Sequence, residues 1–380
     1  MNSIKSNEYL NELIFTYFLF SFVLLKPLNN YFNKYSTIIL LINVIAIMFL
    51  NFKKNKPNMK KFKFKVLILI LSILLINLID SLFRYNEYSL KYIYDFFIYS
   101  IIPVYLFSYV DNYKKVLKYY SNFCVITFFI YFLDPILGYP ISSNYMNFGL
   151  IAMLPTFIGL HMYRNLFNIN KFLCIELISF IELVIFANKG AIISAILFIA
   201  IVKIINFKYI RYKLIKIISY IFIVLLILLN LEKILIMLQS LAIKYGFSSY
   251  SLNTLLAYLE IGNNISLNSR VELWENAYKM FCEKPILGNG VGSYQSNFGI
   301  YTHNIFLDVL VFYGFIGFFI LFYFIFKSLK KINTSDIYFK YFGYITFTLW
   351  FPTLLLSSNF YVNYYFWIFI ILGFRKRIVN

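Results

Sequence analysis

The chain has few charged residues, and this scarcity is its first informative property. Of its 380 residues, 13% are charged and 61% are hydrophobic. An ordinary soluble domain has about 25% charged and about 45 to 50% apolar residues. Cysteine is also scarce, with three in the chain and no metal-ligand spacing between them, and Cys282 alone falls outside the long apolar stretches. These absences exclude an ordinary soluble domain and give no basis for a disulfide framework.

Long apolar stretches recur along the chain. Windows of roughly 20 apolar residues, the length that spans a bilayer, predict twelve transmembrane helices at 10–28, 36–52, 64–82, 92–110, 115–137, 145–163, 171–187, 190–206, 214–231, 303–326, 339–357 and 360–374. We expect an uncleaved first span, since that stretch has no small-residue cleavage site. The expected fold is an all-α polytopic membrane protein: residues 1–231 hold helices 1 to 9, residues 232–302 form one large folded outer loop, and residues 303–380 hold helices 10 to 12.

The net charge of +19 has two interpretations, a phosphate-binding surface or a signal of membrane orientation. If the amino terminus is cytoplasmic, 25 of the 35 basic residues fall in the inner segments. Loops rich in Lys and Arg then alternate along the chain with loops that have few of them. Cytoplasmic loops are enriched in Lys and Arg in this way. We therefore predict a bacterial inner-membrane protein with both termini in the cytoplasm, and nucleic acid is not an expected partner.

The loop 232–302 is too long to be a simple connection. Ser269 to Glu272 has the spacing of a capping box, which predicts a helix start there. Val271, Trp274, Ala277, Tyr278 and Phe281 follow at helical spacing and predict an amphipathic helix that ends before Pro285. A helix resting on the membrane interface without any chemistry has the same pattern.

Glycines alternate after Pro285, at Gly288, Gly290 and Gly292. They permit tight turns and close approach of the backbone. Ser293 stands where a dinucleotide-binding motif would have its third glycine, so the pattern predicts a turn that returns the chain to the membrane.

Three basic groups fall at predicted outward-facing helix starts: Lys189 after Asn188, Arg270 in the first turn of the loop helix, and His303 after the possible cap Thr302. Helix starts attract anions because they carry partial positive charge and unpaired N–H donors. The arrangement predicts a phosphate or pyrophosphate site, with Arg270 suited to bidentate contacts and Lys189 acting as a point charge. Ordinary interfacial cations near lipid headgroups are the alternative.

His303 is the candidate general base. A positive helix end favours neutral imidazole, which can accept a proton from an attacking hydroxyl; a structural interfacial histidine is the alternative. Asp308 lies deeper in the same span, where an ionisable group is costly and often functional. It is expected to orient the site or to form an interhelical hydrogen bond.

These residues resemble the signature region of the bacterial O-antigen ligase and polymerase superfamily. The resemblance covers roughly residues 268 to 320. It is carried by Arg270-x-x-x-Trp274, by Pro285-Ile-Leu-Gly288-Asn-Gly290-Val-Gly292-Ser-Tyr294, and by His303-Asn304-x-x-Leu307-x-x-Leu310 with Gly314 and Gly317. Asn188-Lys189-Gly190-Ala191 is similar to a family segment that usually has arginine where this chain has Lys189. Asn144 falls near another family position.

The resemblance implies a membrane glycosyltransferase that uses undecaprenyl-pyrophosphate-linked glycans on the outer face, with neither nucleotide sugar, cofactor nor metal. Arg270 would contact the pyrophosphate, and His303 would activate the acceptor hydroxyl or stabilise the leaving group. Lys189, Asn304 and Asp308 are expected to bind substrate, and a chain-length regulator and a flippase are expected partners. A polymerase of O-antigen or capsule repeats, a ligase that transfers polymer to lipid A-core, and a polytopic transporter or flippase remain open.

Overall fold

The structure, a computed structural model, describes residues 10–32, 36–54, 86–205, 265–356 and 359–375, with isolated positions at 236, 237, 239, 240 and 244. Every regular element in these ranges is a helix, which confirms the all-α class. The helices are α1 (Leu10–Leu24), α2 (Lys26–Tyr31), α3 (Ser36–Lys54), α4 (Asn86–Phe96), α5 (Ile102–Ser108), α6 (Tyr113–Tyr131), α7 (Tyr145–Asn147), α8 (Leu154–Phe167), α9 (Leu173–Phe186), α10 (Lys189–Ile205), α11 (Ile265–Glu283), α12 (Ser293–Phe298), α13 (Ile305–Asn333), α14 (Ile337–Leu356) and α15 (Tyr364–Leu372).

Ten of the twelve predicted spans coincide with these helices, and the predicted spans 64–82 and 214–231 lie outside the described residues. Short π-helical segments, Phe97–Ile101 and Phe148–Met153, join α4 to α5 and α7 to α8. Four of the described helical stretches are long and apolar enough to cross a membrane: Leu10–Tyr31, Leu90–Ser108, Tyr145–Phe167 and Ile305–Asn333. The chain is thus a multi-pass membrane protein, while the total of twelve spans stays a prediction.

The chain divides into two compact units, and the first comprises Met1–Phe123 and Ser269–Asn380. Its core is aromatic, since α1 packs on α5 and the last three helices pack on one another. Phe107 stacks on Phe342 with ring centroids 5.7 Å apart, and Phe15 lies 5.4 Å from Phe107. Such ring pairs add roughly 0.5 to 1.5 kcal/mol beyond the burial of their area.

Polar contacts at the chain's two ends fix the same unit. The buried Glu12 of α1 accepts hydrogen bonds from the Asp111 and Asn112 amides, at 3.2 and 3.1 Å, just before α6 begins. Arg375 donates to the Phe107 carbonyl at 2.7 Å and pairs with Asp111 at 3.2 Å. The amino-terminal helix and the segment after α15 are therefore both hydrogen-bonded to the chain around the connection between α5 and α6.

The second unit comprises Cys124–Asn268, and in it α8 packs against both α9 and α10. A buried ion cluster joins α8 to α9. Arg164 donates two hydrogen bonds of 2.7 Å to Glu176, and His161 Nδ1 lies 2.7 Å from Glu176 Oε1. Glu176 lies within the predicted span 171–187, where an ionisable group is costly, and these partners satisfy it.

Candidate functional site

Helix α11 carries Arg270, and it begins earlier than its sequence pattern predicts. It starts at Ile265, so Ser269 lies inside the helix and the predicted start there is wrong. Arg270 is consequently in the second turn and not in the first. The partial positive charge of the helix start therefore has less influence at its half-buried side chain than we expected. The buried face is also narrower than predicted, because Ala277 and Phe281 are buried while Val271 and Tyr278 are exposed.

The glycine loop after α11 fills a break in the membrane helix α13. Gly314 has φ 62° and ψ −160°, which interrupts the helix and leaves carbonyl groups without helical partners. The Asn289 amide donates to the Val311 carbonyl at 2.7 Å, and the Phe315 amide donates to the Pro285 carbonyl at 2.8 Å. The predicted turn is thus a backbone-to-backbone junction between the loop and the helix.

This junction requires glycine at two positions. A Cβ at Gly288 would overlap the backbone of Phe312, and a Cβ at Gly314 would overlap the backbone of Ile286. Both glycines also have positive φ, 77° and 62°. Backbone groups without hydrogen-bond partners are costly inside a membrane. The close approach that glycine allows gives such partners to the backbone groups at the break in α13.

His303 lies in a tight turn directly before α13. Its φ of 58° is in the left-handed region, which few residues other than glycine adopt. Asn304, and not Thr302, caps α13: its side-chain oxygen accepts from the Phe306 amide at 3.0 Å and from the Leu307 amide at 3.4 Å. The predicted helix start near His303 is therefore confirmed, while the predicted cap at Thr302 is wrong.

Thr302 connects this turn to α11. The Trp274 indole N–H donates to the Thr302 carbonyl at 3.1 Å, and the Tyr294 hydroxyl donates to the Leu273 carbonyl at 2.8 Å. Arg270 precedes Trp274 by one helical turn. These bonds bring the guanidinium of Arg270 within electrostatic range of the His303 and Tyr301 rings. Two residues that are distant in sequence thus share one site.

The environment of His303 favours the neutral imidazole. Burial and then the positive charge of Arg270 lower the pKa of His303 from its ordinary value. The ring centroids of His303 and Tyr301 lie 4.1 Å apart, and among the described residues the buried Nδ1 atom has no hydrogen-bond partner. A neutral, half-buried imidazole beside a cation can accept a proton from a bound hydroxyl.

Asp308 lies behind this turn. It is fully buried, and its Oδ1 atom accepts from the Thr302 hydroxyl at 2.9 Å and from the Thr302 amide at 3.4 Å. Sequence reasoning did not assign Thr302 or Tyr301 a role in the site. The position of Thr302 directly before His303 offers a weak clue, but nothing in the sequence pairs it with Asp308.

Lys189 belongs to the second unit. It is the first residue of α10, as predicted, and its side chain is exposed. Asn188 caps this helix by accepting from the Ala191 amide at 2.9 Å, and its own amide nitrogen is buried. Asn144 likewise caps α7 through the Asn147 amide. Lys189 therefore stands at a helix start that can attract an anion.

Comparison with known proteins gives one match. A family model described as O-antigen ligase matches residues 175–322, which is less than half of the chain and includes all five predicted site residues. No curated protein and no solved structure matches the chain. The match covers the loop, the His303 turn and the broken helix described above. Residues 175–322 are thus similar to the O-antigen ligase family, which supports the resemblance to the O-antigen polymerase and ligase superfamily.

Proposed function

We propose that this protein is a polymerase of O-antigen or capsular polysaccharide repeats. It would transfer an undecaprenyl-pyrophosphate-linked glycan to a sugar hydroxyl of another lipid-linked repeat. The observation that carries the proposal is the meeting of Arg270 and His303 in one half-buried site within the family region. One residue supplies a fixed positive charge and the other a neutral base, which are the two groups this reaction needs.

In the proposed reaction the acceptor hydroxyl oxygen attacks the anomeric carbon of the donor sugar. A new glycosidic bond forms, and the bond from that carbon to the pyrophosphate oxygen breaks. The leaving undecaprenyl pyrophosphate keeps the electron pair of that bond, and His303 takes the hydroxyl proton. In this proposal the guanidinium of Arg270 would offset the charge that develops on the leaving group, which is an effective form of catalysis.

The other predicted residues have supporting roles in this proposal. Lys189 would bind an anionic group as a point charge, and Asn304 would bind substrate beside His303 while it caps α13. The site would face the outer side of the bacterial inner membrane, with both termini in the cytoplasm. A flippase would deliver the lipid-linked repeats, and a chain-length regulator would act with the polymerase.

A ligase that transfers finished polymer to lipid A-core shares the donor chemistry and differs in its acceptor. Deletion of the gene in a cell that makes lipopolysaccharide separates the two functions. Loss of a polymerase leaves single repeats on the core, whereas loss of a ligase leaves none. A normal glycan ladder after deletion contradicts both.

A transporter or flippase is the alternative from another class. The decisive test is an assay of purified protein with lipid-linked repeats, in which each new linkage yields a longer glycan and one undecaprenyl pyrophosphate. We expect Arg270→Ala and His303→Asn each to lower the rate of formation of this product by about 100-fold or more. Tyr278→Ala, an exposed residue of the same helix, should retain activity. Transport without any glycan transfer by the unaltered protein would overturn the proposal.

A further inference from the structure

Both neighbours of His303 in the chain are fastened to one residue, Asp308. On one side, the Thr302 amide donates to Asp308 Oδ1 at 3.4 Å, and the Thr302 hydroxyl, 2.9 Å from both Asp308 Oδ1 and the Asn304 carbonyl, shares its one proton between these two acceptors. On the other side, the Asp308 amide donates to the Asn304 carbonyl at 2.9 Å. The Asn304 amide also donates to the Thr302 hydroxyl oxygen at 3.2 Å, which closes the ring of contacts. His303 is thus held from both sides in its left-handed conformation.

Asp308 itself has no access to a substrate. Its side chain is fully buried, and Oδ2 has no hydrogen-bond partner in the part of the chain that the structure describes. A buried carboxylate oxygen without a partner is costly. Asp308 therefore acts on the site through Thr302.

Thr302 also receives the contact from α11. Its carbonyl accepts from the indole of Trp274, one turn after Arg270, so a shift of Thr302 moves the base relative to the cation. The same residue thus fixes the orientation of His303 and its distance from Arg270. The two functional side chains have a common anchor.

We propose that Asp308 is a positioning residue, which sets the backbone turn of His303 through its hydrogen bonds to Thr302. The inference rests on the proposed function of His303 as the base of a glycosyl transfer. It assigns Asp308 a role behind the site, where the sequence suggested contact with substrate. Thr302 becomes the second member of this pair.

The first test is kinetic. We expect Asp308→Ala and Thr302→Val each to lower kcat by about 10- to 100-fold with little change in KM, because misplacement of a catalytic group lowers the rate of the chemical step. The double variant should be no slower than the slower single variant, since both changes break one contact. Asp308→Asn retains an oxygen acceptor and should lose less than Asp308→Ala.

The control is Thr346→Val in α14. Thr346 is as completely buried as Thr302, and its hydroxyl donates to a carbonyl of its own helix at 2.7 Å. This variant measures the general effect of the same substitution on folding. A fall in activity equal to that of Thr302→Val would overturn the inference. So would additive losses in the double variant, or a loss in Asp308→Asn as large as in Asp308→Ala, which would indicate a role for the charge.

The second test does not depend on enzyme activity. The chain has two histidines, so ring-labelled protein gives two imidazole signals, which a His303→Asn variant assigns. Loss of the turn should let water reach His303, and its pKa should rise toward the ordinary value in Thr302→Val. The signal of His161 should not change. An unchanged His303 titration overturns the inference, whereas failure of the unaltered protein to transfer glycan overturns only the proposed function.

Discussion

The two units each contain a histidine beside an arginine, and they differ in whether a carboxylate accompanies the pair among the described residues. In the second unit, Glu176 lies between His161 and Arg164 and compensates the charge of Arg164. In the first unit, Arg270 and His303 are near each other, and within the described ranges no carboxylate pairs with Arg270. An uncompensated cation retains its attraction for an anionic ligand. The same residue types therefore stabilise the fold in one unit and offer binding chemistry in the other.

The two clusters are also held by different means. Glu176 holds the second by side-chain hydrogen bonds between neighbouring helices. The first depends on backbone contacts: the glycine loop against the broken helix α13, and the Thr302 turn against Asp308. Backbone contacts of this kind tolerate little change in sequence, because a single added Cβ can push the two backbone segments apart. The predictions below test this difference.

The largest effect is expected for Gly314→Ala. The new Cβ would overlap the Ile286 carbonyl and force alanine into a left-handed conformation, so we expect a loss of more than about 3 kcal/mol in unfolding free energy. The yield of monodisperse protein in detergent and its Tm would show this. Gly299→Ala is the matched control, because Gly299 has φ 70° but open space around it; it should cost about 1 kcal/mol. Equal costs would contradict the proposed junction.

Arg270→Ala should have the next largest effect, on activity alone. Removal of one preorganised charge-stabilising group typically lowers a rate by about 10²- to 10³-fold. Arg270→Lys keeps the charge but loses the planar fork, so a smaller loss is expected. Turnover per folded molecule with lipid-linked repeats is the measurement. If Arg164→Lys in the second unit lowered turnover equally, the contrast between the two clusters would be lost.

Glu176→Gln should affect stability and leave the chemistry intact. It removes the charge that compensates Arg164 and leaves that cation without its partner. Arg164 is about a third exposed, so water screens part of the effect, and we expect a loss of about 2 kcal/mol. Thermal unfolding would measure it. A fall in turnover per folded molecule with unchanged Tm would contradict the structural role of this cluster.

The smallest effect is a shift in pH dependence. In the proposed reaction the neutral form of His303 is the base, so activity should rise with pH through the pKa of His303, which burial and Arg270 hold below its ordinary value. Removal of the positive charge in Arg270→Gln should raise this pKa and move the rising limb to higher pH. Stability changes in the same sense: the folded state resists protonation of His303, so stability falls as the pH drops through its ordinary range. A limb that stays in place would exclude His303 as the titrating base.

Much of the site could be predicted from sequence because local rules govern it. The cations at Lys189 and Arg270, the helix start near His303 and the turn at Gly288 all follow from spacing and residue type. The predicted start of α11 was wrong, because the helix already includes the four residues before Ser269 despite the capping pattern. The exposure of Tyr278 was missed because helical periodicity indicates a face but not its width.

The sequence by itself determined that this is a helical membrane protein with a family region around Arg270 and His303, since hydropathy and motif spacing are local properties. The tertiary structure decided which groups act on one another. It brought Trp274 to Thr302, the glycine loop to the break at Gly314, and the Asp308 carboxylate to the turn of His303. The first two of these contacts join segments that are separate in sequence, and the geometry of all three depends on packing that spacing along the chain does not encode.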